Sequence, residues 1–311
     1  MVGVIAGAVL PIVWILGLGF FLRRFSFLDE SFWRGLEWIS YWVLMPSLLV
    51  SVIIKAPSFD IPWIPLVGSM YGTFALIAIF LGIAWKLSFL GSRYDSFTSL
   101  FQGSVRFNTF ISMALIDGLN PALLPHLGVA SAIFIVVLNI VCVAVLTAKQ
   151  TDRIAGRIVR EIARNPLVLA CLIGGLGRLI EVPDQFPITG ISVVGQAALP
   201  VGVLCLGAGL QWHAIRVGIG LATLSTILQL FVKPFLFIAL AYWFNLSAGW
   251  TLAALLLMCV STAPSSFILA RQLGGDAPLM AGIVAIQTVL AIATVPIVLW
   301  LAQFMNWIHL S

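Results

Sequence analysis

The stretch VRFNTFISM, residues 105–113, places three polar side chains in the middle of a segment that is otherwise apolar enough to cross a membrane. They are Arg106, Asn108 and Thr109. A guanidinium at mid-bilayer depth costs about 2.5–3.5 kcal/mol even on insertion scales, so an intramembrane arginine indicates a functional site and needs a partner.

The sequence offers Arg106 no acidic partner. Asp117 and Asp276 fall at or near the ends of predicted helices, away from the depth of Arg106. Two interpretations follow. Either Arg106 supplies fixed positive charge for the carboxylate of a ligand, or it binds backbone carbonyl groups that an interruption of its own helix leaves free.

A second apolar segment contains the stretch STAPSS at residues 261–266. Pro264 removes a backbone hydrogen bond and clashes with the preceding helical turn, and Ser265 and Ser266 follow it. Non-helical backbone at membrane depth is tolerated only where protein buries it or where it lines a water-filled cavity. The stretch therefore predicts either an interrupted helix at a ligand site or a proline kink whose hydroxyl groups bond to their own helix.

Composition identifies the chain as an integral membrane protein. Of its 311 residues, 61% are hydrophobic and 9% are charged, and the mean hydropathy is +1.13. Soluble domains carry about a quarter charged residues. The net charge of +5 comes from basic residues between apolar segments, which is typical of topology signals and not of a nucleic-acid-binding face. The four cysteines are widely spaced in apolar segments, so we expect no disulfide framework, metal site or cofactor.

Apolar runs of the length that a bilayer requires, about 17–25 residues, recur ten times. Residues 1–148 contain five of them and residues 165–311 contain five more. The linker at 149–164 is basic, and its isoleucines repeat every four residues, which predicts either an amphipathic helix on the cytoplasmic surface or a plain basic connection. The predicted spans are 4–22, 34–54, 64–87, 96–116, 126–147, 166–181, 189–210, 217–244, 249–271 and 277–304.

The distribution of lysine and arginine predicts the orientation. With the N-terminus outside, twelve cations fall on the inner side and two, Lys55 and Arg178, on the outer side. The positive-inside rule then predicts a multi-pass protein of the cytoplasmic membrane with both termini outside. The twelve inner cations are Arg23, Arg24, Arg34, Lys86, Arg93, Lys149, Arg153, Arg157, Arg160, Arg164, Arg216 and Arg271.

Two similar halves of five spans each must insert with opposite topology, because five is odd. Three pairs of residues match between the halves at a nearly constant offset: Pro46 with Pro200, Phe110 with Phe267, and Pro125 with Pro278. We therefore predict an all-α membrane protein of ten transmembrane helices arranged as two inverted five-helix repeats. The fourth and ninth helices are broken, and two breaks in corresponding spans of inverted halves are typical of a transporter binding site.

Four more polar residues lie within predicted spans. Lys233 precedes Pro234 and either binds carbonyl groups exposed by the proline kink or adds to the positive field of an anion site. Asn139, Gln287 and Thr288 either line the crossing of the broken helices, where they would contact substrate or coordinate an ion, or form hydrogen bonds between helices.

The chain resembles the auxin efflux carrier family in several short motifs and in the order in which they occur. This family includes plant auxin carriers and bacterial transporters for malonate, malate and similar anions. The resemblance covers nearly the whole chain and is strongest for a bacterial organic-anion member. The motifs are Pro46 in span two, NT at 108–109, NP at 165–166, Pro200 in span seven, AP at 263–264 and TVPIVLWL at 294–301.

The resemblance implies a fold similar to that of the bile acid sodium symporters. In that fold, spans one, two, six and seven form a scaffold, and the other six spans form a transport domain around the two broken helices. Asn108 would then contact substrate at the crossing, with Pro264 to Ser266 opposite. The chain departs from the family at Phe107, where many relatives have proline, and a charged residue at the place of Arg106 is not a general family feature.

The expected function is therefore secondary transport of a small organic anion, with H⁺ or Na⁺ as the coupling ion. The alternatives are an anion channel or uniporter, or a carrier for a small molecule that is not an anion. We expect no enzymatic activity, because the motifs of zinc proteases, P-loop enzymes, prenyl-diphosphate enzymes and intramembrane aspartyl proteases are absent. The expected partners are the substrate, the lipid bilayer and a second copy of the chain in a homodimer.

Overall fold

The computed structural model of the protein describes residues 2–25, 27–56, 61–91, 93–149, 165–182 and 187–308, together with Gly156 and Ala163. All regular structure in these residues is helical. In chain order the helices are α1 Val2–Arg24, α2 Glu30–Ile54, α3 Trp63–Lys86, α4 Tyr94–Val105, α5 Thr109–Leu119, α6 Pro121–Thr147, α7 Pro166–Leu179, α8 Ile188–Ala208, α9 Ile219–Trp243, α10 Ala248–Met258, α11 Ser265–Leu273 and α12 Ala277–Phe304.

Seven of these helices are long and apolar enough to cross a membrane: α1, α2, α3, α6, α8, α9 and α12. Each of the predicted spans 96–116 and 249–271 is two short helices, α4 with α5 and α10 with α11, separated by non-helical backbone. The predicted interruptions are therefore present. The inverted repeat, the ten-span topology and the division at 149–164 stay predictions, and most of the predicted linker helix lies outside the described residues.

Helix α2 begins four residues earlier than predicted, at Glu30, because Asp29 caps it. The Asp29 carboxylate accepts a hydrogen bond from the backbone N–H of Phe32 at 2.8 Å. That bond lowers the pKa of the Asp29 carboxyl, so the cap is charged at neutral pH. A negative charge at the N-terminus of a helix also interacts favourably with the positive end of the helix dipole.

The two short helices α4 and α10 are enclosed by the rest of the protein. Every residue from Ser96 to Val105 in α4 is buried, and so is every residue from Trp250 to Met258 in α10. Helix α4 is rich in serine, threonine and glutamine. Their polar side chains would lack hydrogen-bond partners in lipid, but surrounding helices can provide them. The polar sequence of α4 is therefore explained by its central position.

Helix α1 packs on α8 with the two backbones in contact. A Cβ atom at Gly19 would overlap the carbonyl group of Leu204, and one at Gly207 would overlap the carbonyl group of Leu16. Small residues allow this close approach, and close packing is one of the forces that drive helix association in membranes.

The prolines of α2 and α9 follow π-helical turns at Ser40–Leu44 and Leu228–Val232. A π turn accommodates a proline, which has no backbone N–H to donate to the hydrogen bonds of the helix.

We expect Gly19→Ala to lower the melting temperature of the detergent-purified protein, because the added methyl group overlaps the Leu204 carbonyl. Overpacking of this kind costs about 1–3 kcal/mol. Gly17→Ala is the matched control, since it lies on the same helix, gains the same helix propensity and meets no atom within 4 Å. Equal melting temperatures for the two variants would contradict the close packing of α1 on α8.

Candidate functional site

The first interruption consists of the three residues between α4 and α5. The backbones of Arg106 and Asn108 are extended, with φ and ψ of −73° and 161° and of −95° and 104°. The Asn108 side-chain oxygen caps α5 by accepting hydrogen bonds from the N–H groups of Phe110 and Ile111, at 3.1 and 3.4 Å. The ring of Phe107 stacks on Phe134 of α6, with centroids 5.8 Å apart, which holds the extended segment in place.

The second interruption runs from the end of α10 at Met258 to Pro264, which directly precedes α11. Ser261, Thr262 and Ser266 are buried here, whereas Ser265 is partly exposed and Pro264 is exposed. The Thr262 hydroxyl lies 3.3 Å from that of Ser266. The hydroxyl groups of STAPSS are thus not all bonded to their own helix, since Ser265 accepts a hydrogen bond from Arg106 in the first interruption and Ser261 accepts one from Thr288 of α12.

The interrupted helices contact each other close to the two interruptions. Ser112 of α5 donates to the carbonyl oxygen of Leu256 in α10 at 2.8 Å. Arg106 donates through Nη2 to the hydroxyl of Ser265 at 3.4 Å. The structure therefore brings together the two sequence stretches that are about 150 residues apart, as the predicted crossing requires.

One side chain of α9 joins the two interruptions directly. Gln229 donates through Nε2 to the carbonyl oxygen of Arg106 at 2.8 Å and to that of Val260 at 2.7 Å. The side chain is fully buried and lies in the π-helical turn before Pro234. Our sequence analysis did not identify Gln229. Its position one helical turn before Lys233, on the same face of the helix, is the signal that would have indicated it.

Lys233 is also directed at the first interruption. Its ammonium Nζ is 3.2 Å from the carbonyl oxygen of Val105, 3.4 Å from that of Arg106 and 2.8 Å from Gln229 Oε1. The side chain is 1% exposed. Lys233 thus binds carbonyl groups, but they belong to the broken helix α4 and not to the kink of its own helix, where the sequence placed them. The reason is that the freed carbonyls of α4 point towards α9.

Helix α12 provides a second bridge. Gln287 donates through Nε2 to the carbonyl oxygen of Gly103 at 2.9 Å, and its Oε1 accepts from the backbone N–H of Thr262, also at 2.9 Å. Thr288 donates to the hydroxyl of Ser261 at 3.2 Å. Both predicted residues of α12 therefore make hydrogen bonds between helices, and they hold the second interruption against α4.

The guanidinium of Arg106 remains nearly free of protein partners. Within the described residues the guanidinium donates one long hydrogen bond to Ser265 and also interacts with the thiol of Cys142, while Nη1 is buried without a partner. No backbone carbonyl among these residues accepts from it, because α9 already binds the carbonyls of the first interruption. The side chain of Cys142 in α6 lies beside the guanidinium. The described structure therefore shows no backbone carbonyl bound to the Arg106 guanidinium, and the choice between the two interpretations of Arg106 stays a prediction.

Other buried groups near this position also have no partner in the described structure. They include Nδ2 of Asn108, both amide atoms of Gln102 one turn before Arg106, and Nδ2 of Asn139, three residues before Cys142. Nearly all of these atoms are N–H donors. Most buried polar groups in native proteins are satisfied, so these unpaired donors require an explanation. A ligand rich in acceptor oxygens would pair with them.

No acidic side chain of the described residues forms an ion pair with Arg106 or Lys233. The ion pairs that involve described residues lie at helix ends, such as Arg23 with Glu30 at 2.5 Å and Arg93 with Asp95 at 2.6 Å. Arg93 also lies 3.7 Å from Asp276, which joins the start of α4 to the start of α12. The two buried cations are therefore not neutralised by these pairs.

Comparison with known proteins supports a role in membrane transport. Residues 146–299, just under half of the chain, match the model of a family described as membrane transport protein. The matched region includes the second interruption, Gln229, Lys233 and Gln287, but not the first interruption. No curated protein matches the chain at a significant level. A transport family is compatible with the expected lack of enzymatic activity, and the apolar helices agree with a multi-pass membrane protein.

We expect Gln229→Leu to lower the ligand-free melting temperature by several degrees. The change leaves the carbonyl of Val260 and the ammonium of Lys233 without their shortest hydrogen bonds. A buried group left unsatisfied costs about 1–3 kcal/mol. Gln211→Leu is the control, because that side chain is exposed in the connection between α8 and α9. A Gln229→Leu protein as stable as wild type would show that the bridge contributes nothing.

Proposed function

We propose that the chain is a secondary transporter that moves a small organic anion, with a carboxylate group, across the cytoplasmic membrane by alternating access. The observation that carries this proposal is the pair of buried cations, Arg106 and Lys233, at the interruption of α4 and α5 without an acidic partner among the described residues. A buried positive field with unpaired donors favours an anionic ligand.

The short helices add to this field. Helices α5 and α11 both begin at an interruption, and the N-terminus of a helix carries a partial positive charge. Asn108 uses its oxygen to cap α5, which leaves its Nδ2 atom available to a ligand oxygen. The donors of Arg106 and Asn108 are suited to the two oxygens of one carboxylate.

The small size of the cavity beside Thr288 favours a carrier over an open channel. The cavity that borders Thr288, between α1, α5 and α12, has a volume of about 20 Å³, which is enough for about one water molecule. A wider apolar crevice of about 410 Å³ between α1 and α12 adjoins it and shares Val9, Val13 and Ile292 with it. A carboxylate is too large for the cavity beside Thr288, so we expect helices to move before a substrate enters there, and alternating access would provide such a movement.

The function is tested by uptake of a panel of labelled mono- and dicarboxylates into proteoliposomes, with proton and sodium gradients imposed separately. We expect saturable uptake of at least one carboxylate, with accelerated exchange when unlabelled substrate is inside. Uptake without saturation or counterflow would favour the channel. Uptake of neutral solutes alone would contradict the anion proposal.

Substitution of Arg106 tests the binding role. Arg106→Lys keeps a charge but loses the planar fork that binds a carboxylate through two hydrogen bonds, so affinity should weaken, and Arg106→Gln should weaken it further. Truncating one partner of a buried charge pair costs about 2–5 kcal/mol, which corresponds to a loss of roughly thirtyfold or more in affinity.

Arg271→Gln is the matched control, because Arg271 is exposed in the last turn of α11. Its affinity for substrate should equal that of wild type. Binding and ligand-free melting are measured on the same purified proteins. Unchanged affinity together with a large fall in melting temperature would assign Arg106 to structure and remove the anion site.

A further inference from the structure

We propose that the ammonium of Lys233 is a resident cation, which occupies an oxygen-lined site at the first interruption that would otherwise take a free monovalent cation such as Na⁺. The proposal deepens the transport function above, because it removes the need for dissociable Na⁺ at this site. It rests on three oxygens: the carbonyls of Val105 and Arg106 and the side-chain oxygen of Gln229.

The chemistry of the three partners requires an ammonium. Gln229 Nε2 contacts the carbonyl oxygens of Arg106 and Val260, which only accept hydrogen bonds, so the amide orientation is fixed and Oε1 faces Lys233. All three groups around Nζ are thus acceptors. A charged –NH₃⁺ has three N–H donors and matches them, whereas a neutral –NH₂ has two donors and would leave a lone pair facing an oxygen.

The same set of oxygens is suited to a metal cation. Carbonyl groups of unwound helices are typical ligands of coupling ions in transporters with broken helices, and hard cations prefer neutral and charged oxygen ligands. Here the side chain of Lys233 fills that place from α9, and it is 1% exposed. A tethered ammonium cannot leave the site as a free ion does, so Lys233 itself supplies the positive charge at the interruption.

Among the described residues, no acidic side chain forms an ion pair with Lys233. Its neighbours include the thiols of Cys142 in α6 and Cys259 at the end of α10. The peptide carbonyl of Arg106 accepts from Lys233 while the guanidinium donates to Ser265, so the two cations act on separate partners. The ammonium is held by dipoles alone, as a free cation in a carbonyl site would be.

The experiment compares wild type with Lys233→Ala and with Lys86→Ala, an exposed lysine at the end of α3. Melting temperatures are measured without substrate in choline chloride, and again after exchange to sodium, ammonium or propylammonium chloride. We expect wild type and Lys86→Ala to melt at the same temperature in all four salts. Lys233→Ala should melt lower in choline chloride and should be raised by about 3 °C or more by at least one of the other cations, since bound ligands stabilise the folded state.

A dependence of wild-type melting or uptake on Na⁺ would overturn the proposal, because a resident ammonium excludes a free ion. So would a Lys233→Ala protein that melts like wild type in choline chloride, or one that none of the cations stabilises. If Lys233→Ala cannot be purified, the wild-type measurements still decide, since Na⁺ dependence alone contradicts the resident cation. Melting is read without substrate, so failure of this inference is distinguished from failure of the transport function, which appears in the uptake panel.

Discussion

Backbone groups freed inside a membrane protein must find partners without bulk water, and this requirement controls the centre of the molecule. Each interruption of a helix leaves carbonyl and N–H groups that cost several kcal/mol if they stay unpaired in an apolar surrounding. Gln229 meets the requirement by binding one carbonyl from each interruption, at Arg106 and Val260. Gln287 acts from the other side, where it donates to the carbonyl oxygen of Gly103 in the last turn of α4 and accepts a hydrogen bond from the backbone N–H of Thr262. Two amide side chains thus hold the non-helical segments together.

The rest of the fold follows from the need to surround these segments. Helices α4 and α10 are buried along nearly their whole length, so their polar atoms find partners in neighbouring helices and not in lipid. Long apolar helices enclose them, and α1 and α8 approach each other closely at Gly19 and Gly207. Gln229, Gln287 and Lys233 bind the backbone of the interrupted segments, so these backbone groups need no donor from Arg106. In the proposed binding site the donors for a ligand are the Arg106 guanidinium and Nδ2 of Asn108, while the Asn108 oxygen caps α5.

Much of this could be predicted from the sequence, because charged and proline residues in apolar segments are costly unless they have a role. Arg106 and Pro264 indicated the interruptions, and Lys233 indicated a buried carbonyl-binding site. The partner of Lys233 could not be predicted, since it lies 128 residues away in α4. Gln229 was missed because burying a neutral amide in an apolar helix costs less free energy than burying a charge, so its presence in the sequence is less conspicuous. The exposure of Pro264 could not be predicted either, because it depends on tertiary packing and not on the spacing of residues along one helix.

The proposed binding role of Arg106 is tested most directly by an experimental structure of the protein with a bound carboxylate substrate from the uptake panel. We expect the carboxylate oxygens to lie within hydrogen-bonding distance of Arg106 and Asn108, while Gln229 and Lys233 keep their contacts with the backbone of the first interruption. A carboxylate bound elsewhere, with the Arg106 guanidinium paired to protein carbonyl groups, would contradict this role.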